Sequence, residues 1–120
     1  MGKRSRRRGQ ETMPDAPESS YTSPDGDVLT LRGAMTVPTR QEYSGLGGIA
    51  AATQEDAWQR RVEFLFERLA VRWELSGAEP LTRQKELLGR YRFASPEQRR
   101  WIRDVLREHL AEWFPDLEQP

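Results

Sequence analysis

The chain has no cysteine, a single histidine and no net charge. Without cysteine there is no disulfide, no thiolate nucleophile and no thiolate-held zinc site, which suits a reducing compartment. Formal neutrality removes any general electrostatic pull toward nucleic acid or an anionic surface. Long hydrophobic runs are also missing. The most apolar stretch, residues 45–52, is too short and too rich in glycine to span a bilayer, so no membrane partner is expected. The basic start is followed by Gly9, Gln10, Glu11, Thr12, Met13 and Pro14 rather than by the apolar segment of a signal peptide. A cytoplasmic location follows by elimination.

The apolar residues that are present are unevenly placed. All four tryptophans (Trp58, Trp73, Trp101, Trp113) and all four phenylalanines (Phe64, Phe66, Phe93, Phe114) lie after position 50, so the core is expected in the second half. Residues 1–27 combine a basic cluster (Lys3, Arg4, Arg6, Arg7, Arg8) with Pro14, Pro17, Pro24 and a polar background. They read as a disordered tail, because they bury too little apolar surface to offset ordering entropy. Residues 28–52 read as an extended arm and glycine-rich linker. The arm holds a β-prone run, Val28 to Arg32, that needs a partner for its backbone groups. Residues 115–120 read as a C-terminal tail.

Residues 53–114 carry helical periodicity, and the expected fold is a small all-α, three-helix domain of long, short and long helices. Thr53 is an N-cap with Asp56 three positions on, close to a capping box. Trp58, Val62, Leu65, Phe66, Leu69, Ala70 and Trp73 then recur at helical spacing, which predicts a first helix ending near Gly77 and Pro80. A short second helix is expected from Thr82 to about Arg92. The third starts at Ser95, with Pro96 in the first turn and Gln98 completing a capping box; its apolar face is Trp101, Ile102, Val105, Leu106, His109 and Trp113.

Charged rows flank the apolar stripes. Glu63, Glu67 and Glu74 lie on one side of the first helix, with Arg61, Arg68 and Arg72 on the other. Arg99, Arg103 and Arg107 lie on one side of the third helix, opposite Asp104, Glu108 and Glu112. Only antiparallel packing of the first and third helices sets each arginine row against a carboxylate row. Phe64, Val71 and Leu75 fall outside the main stripe and predict a second contact face.

No catalytic constellation, metal site or cofactor motif emerges, and an enzyme is not expected. His109 sits within an apolar face and lacks further ligands. The glycines at 45, 47 and 48 lack the lysine and hydroxyl of a phosphate loop. Two functions remain open. The first is a non-catalytic protein-interaction or regulatory module whose arm orders on another protein or on a second copy, through Leu29, Leu31, Met35, Val37, Phe64, Val71 and Leu75. The alternative is a DNA- or RNA-binding, helix-turn-helix-like protein that uses Arg4, Arg6, Arg7 and Arg8 of the tail with Arg99, Arg100, Arg103 and Arg107 of the third helix.

Overall fold

The β-prone run at residues 28–32 finds its partners inside the chain. In the computed structural model, which describes residues 16–46 and 53–120, the elements run β1 (Glu18–Thr22), β2 (Val28–Arg32), α1 (Val37–Gly45), α2 (Gln54–Leu69), β3 (Ala70–Glu74), α3 (Gln84–Arg92) and α4 (Pro96–Trp113). The strands form one antiparallel sheet in the order β1-β2-β3. The expected all-α, three-helix domain is therefore corrected to a mixed fold, with four helices and a three-stranded sheet among the described residues.

The hairpin that makes this sheet starts in the segment read as a disordered tail. Glu18–Thr22 alternates exposed and half-buried residues, as a strand with one wet face does. Its turn is built by Ser23, whose Oγ accepts the amides of Asp25 and Asp27 at 3.2 and 3.1 Å. Gly26 takes φ of 91°, a left-handed conformation that glycine adopts without a Cβ penalty. The Asp27 carboxylate then accepts the Ser76 amide at 2.9 Å and ties the hairpin to the turn after β3.

The long first helix predicted to reach Gly77 stops at Leu69, and the chain passes straight into β3. Its residues fit both periods, since Leu69, Ala70 and Trp73 suit a helix while Val71 and Trp73 suit a strand. The open edge of β2 decides between them, because pairing there satisfies backbone groups that β2 would otherwise leave orphaned. Leu29 pairs with Trp73 and Thr30 with Arg72, whereas Leu31 pairs with Ala70. Val71 is left without an opposite residue, a β-bulge that absorbs the abrupt change from helix to strand. On the far edge the Trp73 amide donates to the Leu81 carbonyl at 3.0 Å, and the Leu81 amide returns a bond at 2.9 Å.

The segment read as an extended arm also holds a helix. Thr36 caps α1 by accepting the Thr39 amide at 3.2 Å, and Pro38, which ends the β-prone run, occupies the first turn of α1, where its missing N–H costs nothing. The tail at 115–120 is strapped down. Arg40 meets Asp116 at 3.3 Å, Arg61 meets Glu118 at 3.1 Å, and Arg107 donates to the Pro120 carbonyl at 3.1 Å. Tyr43 donates its hydroxyl to the Glu118 carbonyl; burial pushes that hydroxyl up to about 12, so it stays protonated.

A single core joins all these pieces. Leu29 and Leu31 of β2 are fully buried with Leu65, Phe66, Leu69, Trp73, Ile102, Leu106 and Leu110. Phe66 stacks on Tyr91 with ring centroids 5.0 Å apart and meets Trp73 edge-on at 5.4 Å. The opposed charge rows of an antiparallel first and third helix do not form. Glu63 pairs with Arg92 of α3, Arg68 with Glu42 of α1, and Glu74 with Arg72 along β3. Glu74 and Arg72 lie beyond the end of α2, so no helical row can include them.

Candidate binding cleft

With their carboxylate partners elsewhere, the arginines of α4 take other positions. The helix starts at a firm cap, where Ser95 Oγ accepts the Gln98 amide and Gln98 Oε1 accepts the Ser95 amide, at 3.1 and 2.9 Å. The connection from α3 is tight, with the Phe93 and Ala94 amides bonding back to Arg90 and Tyr91 carbonyls. Ile102, Val105, Leu106, His109 and Leu110 turn into the core. That rotation sends Arg99 and Arg103, one turn apart, toward α2.

There they lie over aromatic rings. The Arg103 guanidinium carbon sits 3.6 Å from the centroid of Trp58, and that of Arg99 sits 5.1 Å from the centroid of Tyr91. Such cation–π contacts contribute about 0.5–2 kcal/mol and fix the plane of the guanidinium. Arg99 also donates to the Arg92 carbonyl at 2.8 Å. The Arg103 Nε is buried with no hydrogen-bond partner among the described residues. Together with the exposed Arg100, these side chains line a cleft of about 440 Å³ between α2 and the α3–α4 corner, with Glu55 the one acidic residue at its wall. None of Arg99, Arg100 and Arg103 forms an ion pair among the described residues. Burial raises the Tyr91 hydroxyl above the ordinary tyrosine range despite the opposing charge of Arg99, so it stays neutral beneath them.

A second cleft, of about 620 Å³, adjoins the first across α4. Its wall carries Asp25, Asp27, Glu97 and Asp104, and Arg100 lines both clefts and divides them. No group of three or more His, Asp or Glu side chains among the described residues is arranged to hold a metal ion.

His109 is fully buried, as its place in the apolar face suggested. Its Nε2 lies 2.9 Å from the Arg32 carbonyl and its Nδ1 lies 2.8 Å from the Tyr21 hydroxyl. A carbonyl only accepts, so Nε2 carries the proton and Nδ1 accepts from Tyr21. Burial lowers the imidazole below its ordinary range, against the opposing pull of the Arg32 carbonyl and Glu112. Both nitrogens are occupied in holding β1 and β2 to α4.

The residues expected to anchor a partner are distributed differently. Leu29 and Leu31 belong to the core, which corrects their reading as free anchors on an arm. Met35 and Leu75 pack half-buried against that core. Phe64 is covered from within the chain, by Tyr43 of α1 at 5.9 Å and by the Arg68 guanidinium at 4.6 Å. Val71 is the bulge residue of β3, and Val37, 64% exposed, opens α1. The second helical face of Phe64, Val71 and Leu75 therefore does not exist. Arg4, Arg6, Arg7, Arg8 and the glycines at 47 and 48 lie outside the described residues. Arg107 is held by the Pro120 carbonyl, apart from the cleft.

Trp58, Tyr91 and Phe93 were not singled out as site residues from the sequence. Trp58 read as an ordinary apolar-stripe position and Tyr91 carried no reading of its own, and only their pairing with Arg103 and Arg99 reveals a role in the cleft. Comparison of the chain with protein families, curated proteins and solved structures finds no match. Among the described residues no helix is long and apolar enough to cross a membrane.

Proposed function

We propose that this chain is a non-catalytic protein-interaction module that receives its partner in the cleft between α2 and the α3–α4 corner. One observation carries this reading: Arg99 and Arg103 are held in place on the rings of Tyr91 and Trp58, yet neither they nor Arg100 has a carboxylate partner among the described residues. A guanidinium that is already ordered loses little freedom when an anion binds, which is how preorganised sites gain affinity. The partner is not needed to order residues 28–37, since β2 is already folded into the core.

A second reading, DNA or RNA binding by α3 and α4 as a helix-turn-helix-like pair, draws support from charge segregation. Residues 83–107 carry eight basic side chains against three acidic ones in a chain of zero net charge. Against it, Glu97 and Asp104 on α4 belong to the acidic cleft next door.

The test is recovery of partners from the source cell on the full-length chain, followed by calorimetry with the purified partner. The double variant Arg99→Glu, Arg103→Glu should weaken that complex at least tenfold. Equal affinity for both chains would reject the cleft as the docking face.

A further inference from the structure

Resting on the cleft being the docking face, we infer that its occupant is an acidic, extended protein segment: two or more carboxylates for Arg99, Arg100 and Arg103, with an apolar side chain seated on Phe93. Four features of the molecule carry this. The guanidinium carbons of Arg103 and Arg99 sit over aromatic rings with no carboxylate partner among the described residues, and the N–H groups of a guanidinium match a carboxylate. Tyr91 lies between Arg99 and the stacked ring of Phe66, and Arg103 covers one face of Trp58, which leaves little free platform for stacked bases.

The charge pattern is also short. Across Arg100 the surface changes sign, because Asp25, Asp27, Glu97 and Asp104 wall the neighbouring cleft. A duplex carries a negative charge about every 1.7 Å along its axis, and any long polyanion crossing the arginines would run into those carboxylates. A few side-chain carboxylates fit the basic cleft without reaching them. Finally, Phe93, next in sequence to Ala94 of the cleft wall, is 86% exposed at the turn between α3 and α4. A protein segment supplies an apolar side chain to cover it, and the phosphate–sugar exterior of a duplex does not, while an unpaired base could stack there.

The experiment is a titration of the 15N-labelled full-length chain at low salt, following the Nε–Hε signals of Arg99, Arg100 and Arg103 and the Trp58 indole. The probes are a short peptide of glutamates around one leucine, its glutamine counterpart, the glutamate peptide without leucine, and short single-stranded and duplex DNA and RNA. The glutamate–leucine peptide should shift the cleft signals saturably and the glutamine peptide should not. Arg100→Ala, which removes an exposed side chain with no described partner, and Arg103→Ala should each weaken the peptide about tenfold, as loss of a charge-assisted hydrogen bond does. Phe93→Ala should weaken the leucine-bearing peptide alone. Cleft shifts with a nucleic acid and none with the glutamate peptide would overturn the occupant and leave the cleft standing. Shifts confined to other surfaces, or none with any probe, would overturn the cleft reading as well.

Discussion

Tyr21 and His109 stand 88 positions apart in the chain, and the 2.8 Å bond between them fastens the hairpin to α4. Trp113 adds a second tie by donating its indole N–H to Ser19 Oγ at 3.1 Å. Tyr21→Phe should leave the shape intact but strand a buried imidazole acceptor, at a cost of about 1–3 kcal/mol in chemical denaturation. The pH dependence has a definite sign. His109 in the folded chain titrates below its unfolded value of about 6.5, so the unfolded chain binds the proton first. Its contribution is fully present above that unfolded value and is lost as pH falls through the lowered folded value. Replacing His109 by Gln should flatten the acid side of the stability profile, and an unchanged profile would contradict this assignment. The sequence placed His109 on the buried face of the last helix by its spacing from Ile102, Val105 and Leu106. The Tyr21 partner was not legible, because a polar tyrosine in a serine-rich stretch gives no local sign of a pairing so distant.

Among the elements, those with local start signals were readable and those made by distant pairing were not. Ser95, Pro96 and Gln98 announce α4, and the cap forms as read; Ser95→Ala should cost about 1 kcal/mol in thermal or chemical unfolding. Thr53 likewise starts α2, with its hydroxyl accepting the Asp56 amide at 2.9 Å. The end of α2 was misread because Leu69, Ala70 and Trp73 satisfy the helical period, while Val71 and Trp73 satisfy the strand period equally well. Only β2, some forty residues earlier in the chain, settles the choice. The misplaced end of α2 also produced a false second face from Phe64, Val71 and Leu75. It likewise supplied false charge rows, since Arg72 and Glu74 are neighbours on a strand and pair with each other at 2.9 Å. At this scale Leu31→Ala is expected to cost about 2–5 kcal/mol, the range for emptying a fully buried leucine site. A side chain waiting on a free arm for its partner would cost almost nothing.

For the whole molecule, these corrections move the binding surface. Sequence reasoning put the apolar surplus of residues 28–37 at a partner's disposal, and the fold spends Leu29 and Leu31 on its own core instead. What remains open is the basic cleft, of which the arginines were legible and the aromatic seats were not. Sequence reasoning set the row Arg99, Arg103 and Arg107 against the row Glu63, Glu67 and Glu74, on the assumption of two long antiparallel helices. The chain instead inserts a strand, sends Glu63 to Arg92, and leaves the α4 arginines to Trp58 and Tyr91. A consequence is that residues 53–120 alone should fail to fold cooperatively, since they lack Leu29, Leu31 and Tyr43 of the core and two of the three strands. Hydrogen exchange on the isolated full-length chain bears on this most directly. As the central strand, β2 directs its amides alternately to β1 and β3. Without any partner present, the amides of Leu29, Thr30 and Leu31 should exchange as slowly as those in the middle of α4, through global unfolding. Exchange of those three amides near the rate of an unstructured peptide, while α4 stays protected, would contradict the shared core and return residues 28–32 to the role of a free arm.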